Sequence, residues 1–452
     1  MPDLVLPKGT YQRSVGDMPP FVLVNMYAEE TASAKGGVSL QSWPGLESIA
    51  TRGTGPINGI YRKADLFNGD IFSVSNGTLY RDSTSLGAIN GSGPVSWANT
   101  NTELVVTRGQ TAYSYNGTNL AAISFPDGAN VTAVTALAER VIFARASSYR
   151  FYWSDLLDAR TVGALNYASA ESSADWLRDV LAIGETLYLG GGDTIEAWFT
   201  TGDVDLPYRR ISQRTAPVGV AATGCMVAMD NALHFIGSDR VAYRMGDVPG
   251  RISHNGIEES LNASTGFAAF PMIWNGHPVF YCRLDTETLG FDIATGQWHE
   301  RATEGLSNWV AGCCTQRADG TPIFGSAVGD DLLEHSGWAE GTSNLVRTLT
   351  AAIPADNTIA VDEVELEANT GVISAGSATV EMRFSKDRGH NWSPWRAVSL
   401  GSAGDYRARP RWRRLGYVDS PGALLQFRCS DATDFRVSGS AGQESSAGRN
   451  RT

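Results

Sequence analysis

The chain has 452 residues, of which 42% are hydrophobic, so it carries enough apolar side chain for a substantial core spread over two or three domains. Its 36 Lys+Arg face 48 Asp+Glu, a formal net charge of −12, which excludes a protein whose overall field gathers nucleic acid. Glycine at 49 and aromatic residues at 10% favour strands and turns over helices. The five cysteines (Cys225, Cys282, Cys313, Cys314, Cys429) are odd in number and form no CxxC, which reads as reduced thiols of a cytoplasmic product. Met1 to Thr10 lack an apolar run, and the most apolar stretch, Val218 to Met229, is broken by Thr and Gly, so neither a signal peptide nor a membrane-spanning segment is expected.

In chain order, residues 1–55 are punctuated by Pro2, Pro7, Pro19, Pro20 and Pro44 and read as an extended amino-terminal segment. Residues 56–347 contain the seven Asn-Gly pairs that begin at Asn58, Asn68, Asn76, Asn90, Asn116, Asn255 and Asn275, a dipeptide suited to the left-handed positions of tight hairpin turns. Short β-rich runs flank such turns at Ile71 to Val74 with Leu79-Tyr80, and at Leu104 to Val106 with Ala112-Tyr113. Similar runs recur at Val141, Leu187, Leu233, Val279 and Ile323, at spacings of about 33 to 50 residues, which predicts a β-propeller of six or seven four-stranded blades. Helix is expected to be scarce, with Ser172 to Leu181 the best candidate, where Ser172 or Ser173 offers a cap and Trp176, Leu177 and Val180 fall at helical spacing.

Residues 348–437 alternate apolar and polar side chains, as in Thr358 to Leu366 and Ala378 to Phe384, and predict an antiparallel β-sandwich to which the amino-terminal segment can add strands. Residues 438–452 are Gly, Ser and other polar types, a tail expected to be ordered only where a neighbouring subunit or partner holds it.

No catalytic constellation stands out. The six histidines (His234, His254, His277, His299, His335, His390) show no zinc spacing and read as exposed or satisfied residues, and no metal or cofactor is expected. Gly190-Gly191-Gly192-Asp193 leads into the β-rich Thr194 to Phe199 and reads as a hairpin turn, not a phosphate cradle. Ser385, Asp387, Gly389 and Trp392 match the S-x-D-x-G-x-x-W Asp-box, which resembles turns of sialidases and related propellers. Here Asp387 accepts turn N–H groups, Gly389 supplies positive φ and Trp392 packs beneath, so the single copy is assigned a structural role. The charge balance reverses between Arg383 and Arg414, where nine basic residues meet only Asp387 and Asp405. Read as a strand, Arg407, Arg409, Arg411 and Arg413 share one face, either a docking surface for an acidic partner or an exposed face answered by local carboxylates such as Asp405 and Asp419.

Several segments together resemble the tail hub, or nozzle, proteins of short-tailed bacteriophages, also called packaged-DNA stabilisation proteins. They are Asn25 to Glu29, Pro44-Gly45-Leu46, Gly192 to Trp198 with Thr201-Gly202-Asp203, Gly224-Cys225 with Ile236 to Asp239, Gly246 to Ser253 with Ile257-Glu258, and Arg409 to Gly416. The resemblance implies a non-enzymatic virion component, assembled in the host cytoplasm and placed in the short tail. It implies a hexameric ring below the portal and its adaptor ring, closed by a needle or plug and neighbouring fibres or tailspikes, with duplex DNA leaving through its lumen unbound. An acidic duct wall suits that passage, because a basic wall holds phosphates. The competing readings are a tail-associated propeller that cleaves glycans, which needs two carboxylates facing each other across a cleft, and a glycan-binding module that uses Trp153, Trp176, Trp198, Trp298, Trp309 and Trp338 as stacking faces.

Overall fold

A computed structural model describes residues 5–11, 21–30 and 37–444, with side chains through residue 438. Seven four-stranded antiparallel blades follow one another around a ring, five as separate sheets and two continuing into larger sheets, and six of them are built from consecutive strands spanning 57–88, 96–122, 131–169, 177–216, 226–251 and 268–301. The seventh takes three strands from 311–335 and its outermost strand, Leu46–Thr51, from the amino-terminal region. A fourth strand borrowed from the opposite end of the chain sequence closes the ring, so this is a seven-bladed propeller.

Hydrogen bonds link every blade to the next. Tyr61 Oη donates to Asn99 Oδ1 at 2.7 Å, Val134 N to Ser96 Oγ at 2.9 Å and Ala182 N to Thr135 Oγ1 at 3.0 Å. Gly224 N donates to Asp179 Oδ2 at 2.9 Å, Ala269 N to Gly224 O at 2.9 Å and Gln316 Nε2 to Ile273 O at 3.3 Å. Arg62 Nη1, donating to Gln316 O at 3.3 Å, joins the seventh blade to the first. Between these bonds, apolar clusters fill the wedges, such as Val105, Val134 and Phe143 between the second and third blades. Each fully buried aliphatic or aromatic side chain there is worth roughly 1.5–3 kcal/mol.

Two of the Asn-Gly pairs form the predicted turn, with φ of 44° and 81° at Asn76-Gly77 and 48° and 83° at Asn275-Gly276. Ala138-Glu139 and Asp230-Asn231 make the same left-handed turn without glycine, at φ of 52°, 60°, 49° and 52°. Asn58-Gly59 instead lies inside strand Ile57–Tyr61, and Asn255-Gly256 opens helix Asn255–Ala263, which buries Ile257 and Leu261 one turn apart.

The helix expected over 172–181 is absent. Leu177–Ile183 is the innermost strand of the fourth blade, preceded by a bend. The register shifts between Leu177 and Asp179, so Arg178 is an extra residue that turns Leu177 and Val180 to the same side. A β-bulge thus reproduces the i, i+3 spacing of a helix.

The carboxy-terminal region forms a sandwich of two five-stranded layers, and both contain amino-terminal strands. One layer runs Leu23–Val24, Arg347–Pro354, Gly422–Cys429, Ser377–Ser385, Arg396–Ser402. The other runs Met26–Glu30, Val38–Ser42, Val437–Glu444, Ile359–Ala368, Arg411–Val418. Residues 438–444, read from composition as tail, are therefore paired within the chain's own sheet, Ser438 with Ser39 and Glu444 with Glu363. Residues 445–452 lie outside the described residues.

Candidate functional site

The two domains join through one short strand. Val24 pairs in parallel with Glu300 of the sixth blade's outer strand, and Leu23 pairs with Leu349 of the sandwich, so a single sheet runs through both. Asn25 follows in the left-handed region at φ 55° and is 1% exposed. Its Nδ2 donates to Ala302 O at 2.8 Å and to Val346 O at 2.9 Å, and its Oδ1 accepts from Ala302 N at 3.2 Å. Asparagine both tolerates this backbone conformation and satisfies three partly buried backbone groups.

Behind Asn25 lies a buried polar and aromatic cluster. The Arg301 guanidinium sits 5.6 Å from the Trp43 ring and 4.3 Å from the Trp309 ring, with no exposed surface. Trp309 Nε1 donates to Glu340 Oε1 at 3.3 Å, and burial raises the Glu340 carboxyl while the Arg301 charge draws it down. His277 Nδ1 lies 2.7 Å from Asp292 Oδ2, and that bond raises its imidazole pKa. Burial lowers His299 to about 3 and His335 well below the ordinary value. His234 and His335 correct the expectation of exposed or satisfied histidines, since both are buried with neither ring nitrogen hydrogen-bonded, His335 among Trp43, Trp274 and Phe324. These groups stack, and among the described residues they present no nucleophile beside a base.

Elsewhere the predicted residues separate. Burial lowers His234 to about 4, His254 stacks on Tyr11 at 4.9 Å, and His390 lies in the exposed Asp-box turn. Among the described residues no three His, Cys, Asp or Glu side chains are placed to hold a metal ion, and no helix is long and apolar enough to cross a membrane. All five cysteines are unpaired. Of the six tryptophans considered for glycan stacking, Trp153, Trp198, Trp298 and Trp309 are core residues. Several concavities open on the propeller, two of which border the blades of the predicted residues. One of about 610 Å³ lies over the innermost strands of the fourth to seventh blades, with Ile183, Met229, Asp230 and Ile273 in its wall. The other, about 370 Å³, lies between the fourth and fifth blades, where Arg214 pairs with Asp247.

The Asp-box residues come together as a turn. Ser385 Oγ donates to Asp387 Oδ1 at 2.7 Å, Gly389 N donates to Ser385 Oγ at 2.8 Å, and Asn391 N donates to Asp387 Oδ1 at 2.8 Å. These bonds, the Asn391 backbone N–H foremost, hold the Asp387 carboxyl down at about 2. Gly389 has φ 92°. Sequence reasoning did not anticipate the ladder beyond it, in which Arg383 lies 4.7 Å from the Trp392 ring and 4.6 Å from the Trp395 ring, and Arg428 lies 4.3 Å from Trp395. The Trp392-Ser393-Pro394-Trp395 spacing beside two strand arginines was the available signal.

The arginines divide into two sets. Arg411 and Arg413 lie on strand Arg411–Val418, whereas Arg407 and Arg409 belong to the loop before it. Their carboxylates come from the neighbouring strand and not from Asp405 or Asp419. Arg411 reaches Glu363 at 3.3 Å and Glu365 at 2.8 Å, Arg413 reaches Glu363 at 2.6 Å, and Arg409 reaches Glu365 at 3.8 Å. Three guanidiniums thus share two carboxylates, while among the described residues no carboxylate pairs with the side chain of Arg407 or Arg414.

The chain is thus a seven-bladed propeller joined through one sheet to a β-sandwich. Family models agree on both halves: the β-propeller of bacteriophage P22 Gp10 matches residues 3–307, and the Gp10 β-sandwich matches residues 346–443. The chain belongs to this family of packaged-DNA stabilisation proteins, structural components of the phage virion tail. No curated protein is a significant sequence match. Similar solved structures include PorZ of the Porphyromonas gingivalis type-IX secretion system, at 10% identity and TM-score 0.40, covering 78% of this chain and 46% of that one. The Dos1 propeller (11% identity, TM-score 0.40, 75% and 96% covered) and Chaetomium thermophilum Raptor (11%, 0.40, 66% and 29%) are similar at the same level.

Proposed function

We propose that the chain forms a hexameric nozzle in the short tail, below the portal and adaptor ring, that retains the packaged genome and then serves as its exit duct. The observation that carries this reading beyond family membership is the segregation of charge. Residues 46–345, the propeller, hold 32 acidic and 19 basic residues and so contain the net charge of the molecule, whereas residues 346–444 hold 12 of each. Propeller loops rich in Asp and Glu facing a lumen repel duplex phosphates and let DNA slide, and the arginine-rich edge of the sandwich faces protein. Adaptor, needle and fibre or tailspike proteins are the neighbours this position requires.

Gold-labelled antibody on intact and DNA-emptied particles tests the placement. Label confined to the axial tail in both is the expected result. Label on peripheral fibres only, or none on particles, overturns the nozzle and favours the glycan readings, for which loss of polysaccharide viscosity or saturable glycan binding is then the assay.

A further inference from the structure

The sandwich and the propeller carry two exposed patches of opposite character that fit one another in two copies of the chain. The first is the outer edge of strand Arg411–Val418, which among the described residues pairs on one side only, with Ile359–Ala368, and is the last strand of its layer. A register shift opposite Asp362 puts Arg414 at φ 62° on the exposed side, next to Arg413. With Arg407 and Arg409 in the loop before it, the edge gathers arginines that Glu363 and Glu365 only partly neutralise. Tyr406, 72% exposed, and Tyr417, 70% exposed, bracket it. Exposed Tyr and Arg side by side are the side chains that anchor protein interfaces.

The second patch lies on the third and fourth blades. In an antiparallel four-stranded blade, the turn between the first and second strands and the turn between the third and fourth emerge at the same end. At that end these two blades present Glu139 and Asp155, and Glu185, Asp203 and Asp205, all exposed. Among them stand Leu156, Leu157, Leu165, Val204 and Leu206, with Leu165 82% and Val204 78% exposed. Several large aliphatic side chains left in water and rimmed by carboxylates mark an interaction surface. Glu185 and Asp205 pair with no cation among the described residues.

We infer that the arginine and tyrosine edge of one copy docks on the acidic, leucine-rich end of the third and fourth blades of a second copy. The partner is a second copy because the charges are complementary within one sequence and the patches cannot meet within one chain. The sandwich is fused to the sixth blade, two to three blades away around the ring. Each copy therefore offers both halves of a head-to-tail contact, the kind that closes into a ring when the rotation allows. This deepens the ring reading above, and it leaves the carboxylates of the remaining blades to the lumen.

Reciprocal charge reversal tests it on the full chain. The variant Arg407→Glu/Arg409→Glu turns the edge acidic, and Glu185→Lys/Asp205→Lys turns the blade end basic; all four residues are exposed. Sedimentation velocity at low ionic strength is expected to show self-association of the parent chain, weakened by added salt. Each variant alone is expected to associate about tenfold or more weakly, and an equimolar mixture to associate again, because the acidic edge of one variant then meets the basic blade end of the other and the two unreversed patches meet each other. Circular dichroism and unfolding midpoints matching the parent show that the variants fold. A parent chain that stays monomeric at every concentration and salt, variants that associate as the parent does, or a mixture that fails to recover each overturns the contact. Particle labelling decides the tail placement separately, so axial label together with failed recovery refutes the contact and keeps the nozzle.

Discussion

Removing the Asn25 carboxamide should loosen the joint between propeller and sandwich more than its small volume suggests. In Asn25→Ala, the carbonyls of Ala302 and Val346 and the N–H of Ala302 lose their partner. At roughly 1 kcal/mol for each partly buried group left unpaired, the loss is about 3 kcal/mol. Alanine must also hold φ 55°, which costs it about another 1 kcal/mol. Asn25→Gly removes the same bonds without that strain and should be the milder change. Asn25→Asp keeps volume and backbone tolerance but points oxygen at two carbonyls, so it should be no better than alanine. Native-state hydrogen exchange is the suitable assay, because a two-domain chain need not unfold in one step. The Ala302 amide should exchange about a thousandfold faster in Asn25→Ala, which is what about 4 kcal/mol of lost protection gives. Unchanged protection at Ala302, or an aspartate variant as protected as the parent, refutes the reasoning.

Two further outcomes follow from the packing. In Gly45→Ala the new Cβ would lie 1.8 Å from Ala339 O, where backbone meets backbone, while Gly45 N and O bond Gly337 and Ser336 at 3.0 Å. The substitution should release the closing strand Leu46–Thr51 at a cost of about 3 kcal/mol, seen as lost exchange protection there and in Asp331–His335. Acid should also destabilise the fold. Burial lowers His234 to about 4, His299 to about 3 and His335 further below the ordinary value, so the unfolded chain binds these protons first. Stability should therefore fall as pH drops from about 6.5 towards about 4, by up to about 1.4 kcal/mol per pH unit for each histidine. His299→Gln should flatten the slope of unfolding free energy against pH, and an unchanged slope contradicts the assignment. His277 acts in the opposite sense: its pKa is raised by Asp292, so its contribution is complete below about 6.5 and is lost as pH rises through the folded value.

Local chemistry determined much of this protein. Asn76-Gly77 and Asn275-Gly276 dictate their turns because few other residues accept two consecutive left-handed conformations cheaply, and the spacing of short β-rich runs of about 33 to 50 residues carried the propeller reading. The Asp-box was legible for the same reason, since Ser385, Asp387 and Gly389 make their bonds within a few residues. Tertiary structure decided what depends on partners distant in sequence. The bulge at Arg178 turned helical spacing into a strand because Gly190 and Gly191 were there to pair with it. Arg411 and Arg413 found Glu363 on a strand about 50 residues earlier instead of the nearer Asp405 and Asp419, because register and not proximity in sequence sets which side chains face each other. The seventh blade, the joint at Asn25 and the strand at 437–444 each bring together the two ends of the chain. Such pairings have no local signal: their strands read as ordinary alternation or as polar tail until a sheet edge supplies the missing hydrogen bonds.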